Sequence, residues 1–337
     1  MYRVIGFLIR IIARNLERST FYPPFMTAEK RAYSELCETA DVPIFMQNWW
    51  LDEVCGEAWS VVFSYNKKGE IEAALAFAKR QKFGLTTLSE PVLSPFCGVW
   101  FRQKTFKKQN EAISYRKQHL ESLIENLPAA HRYSFRLHVS LTDWQPFYWA
   151  NWRQETRYTY RLSLENAAMI PENFSGNAKR NIRKSAQYFT IESSDNFDKF
   201  LEINALTYER QRMKQPIPLA TWQSVERILV EKRRRRLFFA QNTEGSSEAA
   251  IYVVFDDTTA YYLAGGATET GRSHGAMHGL LAHAIQEAAA AGCTVFDFEG
   301  SMLRGVEPFF RGFGGELTPY FRVFKYGNRF LEFIFNR

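Results

Sequence analysis

The sequence predicts an α/β protein of mixed sheet, arranged as two successive units, and three observations carry the prediction. Segments with strand-like alternation recur in both halves of the 337-residue chain. In each half three strands lead to a helix with apolar residues at 3.6-residue spacing, and then to a further strand. Hydrophobic residues at 46% and charged residues at 23% are enough for substantial cores and exclude a disordered chain. At this length two domains are the expectation, with one large mixed sheet as the alternative.

Residues 1–24 stand apart. In "MYRVIGFLIRIIARNLERS" Arg3, Arg10, Arg14 and Arg18 gather on one side of a helical wheel, and Val4, Ile5, Leu8, Ile11 and Ile12 spread over the other. That pattern suits a helix lying in a membrane interface, giving peripheral contact through residues 1–18, or a helix docked on its own domain. Arg10 and Arg14 interrupt the apolar run, so no export signal is evident, and no stretch is long enough to span a bilayer. The expected location is the cytoplasm, at the inner face of the membrane if the helix is interfacial.

The first unit is expected over residues 25–165. "MQNWWLDEVCG" reads as a helix closed by Gly56, "AWSVVFSYN", "EIEAALAFAKRQ" and "FGLTTLSEPVL" as strands, and "EAISYRKQHLESLIENLP" as a helix stopped by Pro128. "RYSFRLHVS" and "RYTYRLSL" are the closing strands. The second unit is expected over 166–337. "SGNAKRNIRKSAQYF", "NFDKFLEINALTYERQR" and "TWQSVERILVEKRRRR" read as helices, and "LFFAQN", "AAIYVVFDD" and "AYYLAGGAT" as strands. A helix over 274–291, stopped by Gly292, feeds the strand "TVFDFEG".

The net charge of +7 favours polyanionic partners or simply aids solubility. Cys37, Cys55, Cys97 and Cys293 have no metal-ligand spacing and read as free thiols in a reducing compartment. His274 and His278 have ligand spacing without a third partner, so no metal site is expected, and no serine or cysteine sits in a nucleophile elbow.

Three stretches could carry chemistry. In "VFDFEGS" the alternation puts Asp297 and Glu299 on one strand face, where mutual repulsion would give a carboxylate able to take a proton from an amine; alternatively they pair with Arg304 and Arg311. The glycines that follow admit close backbone approach around "VEPFFRGF", from which Arg311 would offer a cation to a phosphate, a carboxylate or a developing oxyanion. In "GGATETGRSHGAMHG" glycines precede a helix N-terminus, a phosphate cradle in outline but neither a Walker loop nor a dinucleotide fingerprint. In "AKRNIRKS" Lys179, Arg180, Arg183 and Lys184 lie opposite Ala178 and Ile182, a face for polyphosphate or RNA or merely a solvated one. The run "EKRRRR", 231–236, reads as a charge cluster at a helix C-terminus.

The stretch from "SHGAMHGLLAHAIQ" to "LTPYF" resembles the C-terminal half of the Fem-type aminoacyl transferases within the GNAT superfamily. The matching pattern is a strand ending in Asp-Phe and a glycine, then a glycine and a Phe-Lys run closing on Phe-Gly; here it reads Asp297, Phe298, Gly300, Gly305, Phe310, Arg311, Phe313, Gly314. "AKRNIRKSAQ" is similar to the basic helix that opens the second domain in that family, so the likeness covers roughly residues 175–325. It implies two tandem GNAT-like acyltransferase folds with a cleft between them, the first degenerate, and transfer of an acyl or aminoacyl group from acyl-CoA or aminoacyl-tRNA to an amine, on a peptidoglycan or other envelope precursor. It implies no bound metal or prosthetic group. Phe310 and Arg311 fall on the family's Phe-Lys pair, with arginine replacing the proton-carrying lysine. Arg180 or Arg183 falls on its phosphate-binding arginine. Arg272 and Gly275 keep the superfamily's CoA cradle, whose last small position is Met277.

The expected chemistry is attack of an amine on a thioester or ester, without a covalent enzyme intermediate. Asp297 or Glu299 takes the amine proton, and Arg311 or backbone N–H groups hold the oxyanion. The alternative is a non-catalytic protein of the same fold that binds RNA or an envelope precursor.

Overall fold

The computed structural model describes residues 26–300 and 302–328; the expectation for residues 1–24 lies outside them. Thr27 accepts a hydrogen bond from Lys30 N and so caps α1 (Ala28–Thr39), whose Tyr33 and Leu36 enter the core. A 3₁₀ turn leads to α2 (Asn48–Cys55), closed by Gly56 at φ +57°. The meander β1 (Trp59–Tyr65), β2 (Ile71–Lys82) and β3 (Leu85–Ser89) follows, with β4 (Val99–Phe101) beside β2. Then come α3 (Gln109–Glu125), β5 (Arg132–Arg136), α4 (Gln145–Trp149) and β6 (Arg153–Ser163).

Ser175 caps α5 (Gly176–Tyr188), and β7 (Thr190–Ser193), α6 (Phe197–Arg210) and α7 (Leu219–Glu231) continue the chain. A second meander consists of β8 (Arg235–Gln241), β9 (Ser247–Phe255) and β10 (Thr259–Ala267). The chain closes with α8 (Glu269–Ser273), α9 (Ala276–Ala290), β11 (Val295–Asp297), α10 (Glu307–Arg311) and β12 (Glu316–Tyr326). One expectation is corrected here. The run 231–236 is not all helix tail: Arg233 at φ +56° ends the helical path, and Arg235 and Arg236 already lie in β8.

The element order repeats. In each half a three-stranded meander, a long helix, a strand, a five-residue helix with proline in its first turn and a final strand follow one another, and the third meander strand pairs in parallel with the strand after the long helix. Among the described residues all strands form one sheet, ordered β1-β2-β3-β5-β12-β6-β11-β10-β9-β8-β7 with β4 off the path. The two final strands have changed places. β12 pairs with β5, β6 pairs with β11, and β6 and β12 run antiparallel through the register Glu316↔Arg161 to Phe324↔Arg153. Duplicated unit and single sheet are therefore both true of this fold, and the exchange buries two strand edges that separate halves would expose.

The cores follow the exchange. Tyr160, Leu162 and Leu164 around β6 pack with Phe296 and the apolar face of α9, whereas Val323 of β12 packs with Phe135, Leu120 and Trp152 of the first half. On the opposite face of the second meander, α1, α2, α6 and α7 share one core, in which the Phe45 ring lies 5.0 Å from that of Tyr261.

Candidate active site

β10 and β11 pair over only three residues, Thr259–Tyr261 against Val295–Asp297, and then part. β10 runs on to Ala267 against β9, with a register shift between Tyr262 and Ala264 at the parting point. Its edge beyond Tyr261 faces a cleft of about 290 Å³ bounded by the start of α9, by Phe309 and Phe310 of α10, and by Thr207 and Arg210 of α6. An open strand edge presents N–H and C=O groups to an extended chain laid beside it.

Two glycines make this cleft possible. A Cβ on Gly266 would lie 2.2 Å from Ile203 O, so α6 packs directly on the strand; Gly275, the N-cap of α9, has φ +75°, and a Cβ there would lie 2.6 Å from Asn181 O. Arg272 Nη1 donates to Ala267 O at 2.8 Å, which fixes the guanidinium at the cleft wall. His278 packs its ring 4.8 Å from Phe309, and burial pushes its imidazole down to about 4, so it is neutral. Burial likewise pushes the Tyr262 hydroxyl above its ordinary range.

The carboxylates lie on the other face of the sheet, at the end of the same pairing. Tyr261, Asp297 and Arg161 are in register across three strands, whereas Phe296, Ala260 and Leu162 face α9. Asp297, 6% exposed, accepts hydrogen bonds from Thr159 Oγ1 at 2.6 Å and Glu299 N at 2.9 Å, and its Oδ2 lies 3.2 Å from Arg161 Nε. Glu299 occupies the left-handed region at φ +56°, a strained conformation for a residue with a side chain. Burial and then the charge of Asp297 push its carboxyl well above the usual range, against the pull of Arg136 and Arg161. Burial raises Asp297 as well, but Thr159 and Arg161 oppose it. The carboxyl of Glu299 is the one pushed well up: Asp297 accepts two hydrogen bonds and faces Arg161, whereas Glu299 Oε1 is buried without a hydrogen-bond partner.

His138 approaches these carboxylates from the first half, its imidazole pushed down to about 4 by burial and then by Arg161. A void of about 20 Å³, the size of one water, lies among His138, Thr159, Asp297, Glu299 and Tyr320. His138 and Arg161 also line a larger cavity of about 320 Å³ between the halves, with Tyr261, Arg116 and Trp100.

The structure thus gathers some of the sequence candidates and separates others. Phe310 is buried with its ring 5.6 Å from Tyr262, and it shares the cleft with Arg272, Gly275 and Met277. Arg311, next in sequence, is exposed and pairs with Glu307 on its own helix at 2.9 Å. Asp297 and Glu299 stand across the sheet from Phe310. Arg180 and Arg183 lie on the outer face of α5, donating to Asn177 Oδ1 and Lys179 O, while Asn181 and Lys184 carry the contacts of α5 to Gly275 and Ser273. In the run 231–236, Arg234 pairs with Asp257, Arg235 with Asp195 and Glu226, and Arg236 with Glu287.

Residues 172–311 match the family model described as acetyltransferase (GNAT) domain. The matched stretch, similar to that domain, includes the cleft and both carboxylates and ends before β12. Among solved structures, FemX superposes with a TM-score of 0.62 at 13% identity, over 88% of this chain and 96% of that one. The C-terminal domain (DUF2156) of a putative lysylphosphatidylglycerol synthetase from Agrobacterium fabrum gives 0.57 at 11% identity, over 91% and 95%. These likenesses are of fold, and they extend the Fem-type GNAT resemblance over both halves. No curated protein matches the chain in sequence.

Sequence reasoning missed the residues that the first half and β12 bring to the carboxylates: His138, Thr159, Arg161 and Tyr320. A signal for Thr159 and Arg161 existed in the alternation of "RYTYRLSL". The repeat left a trace too, "QPFYW" at 145–149 against "EPFFR" at 307–311.

Proposed function

We propose that this protein transfers an acyl or aminoacyl group from a carrier to an amine, the donor lying in the cleft beside α9 and the amine arriving from the cavity between the halves. The observation that carries this reading is the early parting of β10 and β11. Where the pairing ends, a cleft lies on one face of the sheet and a buried carboxylate pair on the other.

In this mechanism the amine nitrogen attacks the carbonyl carbon of a thioester or ester. The tetrahedral oxyanion then collapses, expels the carrier's sulfur or oxygen and leaves an amide. The amine proton passes to the Asp297–Glu299 pair, directly or through a water in the small void, and the leaving group takes up a proton as it departs. N–H groups on the open edge of β10 are preorganised for the oxyanion; Arg311, paired with Glu307 outside the cleft, would have to leave that pair to act as the cation there. Phe310 forms the apolar wall behind the reacting carbonyl. Arg272 and the backbone around Gly275 would hold the carrier's phosphates, with Arg180 and Arg183 further out along α5. Residues 25–165 then act as the acceptor-side unit and 166–337 as the donor-side unit. The acceptor implied by the Fem-type resemblance is an amine on a cell-envelope precursor. In the alternative, a non-catalytic protein that binds RNA or an envelope precursor, the ion pairs of Arg234, Arg235 and Arg236 leave the RNA footprint chiefly to the α5 face.

The test is a transfer assay in which labelled acyl-CoA and aminoacyl-tRNA are each supplied with amine acceptors. Product from one donor, reduced by about 10²–10⁴-fold in Asp297→Asn with the fold intact, is expected. An Asp297→Asn variant with unchanged turnover would overturn the assignment.

A further inference from the structure

The hairpin between β2 and β3 is built unlike the rest of the first half. β2 is buried along most of its length, but its last four residues, Lys79 to Lys82, are exposed, so the ribbon projects past the core. Lys82 pairs with Leu85 across a two-residue turn, Phe83-Gly84, with both residues at positive φ, +52° and +75°. This turn geometry selects Asn or Gly at both central positions, whereas a phenylalanine there is strained. Phe83 is also 90% exposed, and the ring contact it makes is with the ammonium of Lys82, 5.2 Å from its centroid. Nothing in the folding of the hairpin accounts for an aromatic at this point.

The charges within the hairpin itself are of one sign. Lys79, Arg80 and Lys82 form no ion pair among the described residues, and no acidic residue occurs between Ala78 and Leu88. Alternation puts Lys79 on one side of the ribbon and Arg80 and Lys82 on the other. Lys82 adjoins Phe83, and at roughly 3.4 Å per residue Arg80 lies about 10 Å and Lys79 about 14 Å from it. A narrow ribbon with a bare aromatic at its end and cations on both flanks matches the depth profile of an anionic bilayer, where the ring enters the acyl boundary and the cations stay among the headgroups. Base stacking requires a flat or grooved aromatic platform, and this tip is convex.

From this we infer that the hairpin at 79–85 is a membrane-docking element that inserts Phe83 into the surface of an anionic bilayer. The inference is independent of the transfer chemistry and of residues 1–24. The test is co-sedimentation of the full chain with phosphatidylglycerol–phosphatidylcholine vesicles and with phosphatidylcholine vesicles, for the wild type, Phe83→Gly, and a triple variant Lys79→Ser, Arg80→Ser, Lys82→Ser. Expected are preference for the anionic vesicles, about tenfold weaker affinity in Phe83→Gly, and about fivefold loss for each cation removed. The thermal midpoint of Phe83→Gly should be unchanged or higher, because glycine relieves the positive φ, so lost binding is not lost folding. Unchanged vesicle affinity in Phe83→Gly would overturn the proposal, as would equal affinity for both vesicle types. A wild type that ignores vesicles and binds a single-stranded RNA through the same cations would overturn it as well.

Discussion

Arg161 of β6 lies with its Nε 3.2 Å from Oδ2 of Asp297 on β11, so a strand that follows the first half supplies the counter-charge to a carboxylate of the second. Asp297 is almost fully buried, whereas the arginine is partly exposed. Asp297→Ala leaves Arg161 without its counter-charge and should destabilise the protein by about 3 kcal/mol, the low end of the range for breaking a buried pair. Asp297→Asn, which keeps the hydrogen bond with Thr159, should cost less. Urea unfolding of both variants checks the difference; equal losses would mean that the pair does not hold the strands.

Glu299 makes stability depend on pH. Its folded-state carboxyl titrates well above the unfolded value of about 4.3, so the folded protein holds a proton that the unfolded chain has released. The stabilisation this gives is complete below that value and is lost as pH rises through the elevated one. Glu299→Gln should therefore melt higher than the wild type at pH 8, and the two curves should converge near pH 4. His138 acts in the opposite sense: held at about 4 against about 6.5 unfolded, it withdraws stability as pH falls between those values. His138→Gln should flatten that acid limb.

The glycine contacts in the cleft predict a graded pair of variants. Gly266→Ala sets a methyl 2.2 Å from Ile203 O and forces α6 away from β10, at about 1–3 kcal/mol. Gly275→Ala adds a positive φ to a 2.6 Å contact with Asn181 O, at a similar cost. Denaturation midpoints check both, and wild-type stability in either would show that the helices are not seated as described.

Strand exchange predicts one unfolding transition. β6 and β12 share nine register pairs and each completes the other half's sheet, so neither half has a closed core without the other. Calorimetry of the whole chain should give a single peak with matching van't Hoff and calorimetric enthalpies. Two resolved peaks would contradict the exchange.

Much of the donor side could be read directly. The apolar spacing in 274–291 marks the buried face of α9, and the alternation in "VFDFEGS" puts Asp297 and Glu299 together although β11 itself is three residues long. The exchange could not be read, because it depends on pairing between β6 and β12, about 160 positions apart, and alternation within a strand does not name its partner. Phe310 and Arg311 form one motif in sequence, but adjacent residues on a helix point about 100° apart, so one is buried in the cleft and the other faces solvent. The end of α7 was hidden for a different reason. A left-handed arginine, Arg233, stops the helix where a glycine would have announced it.

The proposed donor site is the cleft beside α9, and a thermal-shift titration of the wild type and Arg272→Ala with acetyl-CoA, longer acyl-CoAs and aminoacyl-tRNA tests it without an assumed acceptor. One donor class should raise the wild-type midpoint, since a ligand at 100 times its Kd adds about 2.7 kcal/mol, and Arg272→Ala should lose the rise. A midpoint that moves with none of these donors, or that moves equally in Arg272→Ala, would contradict the account.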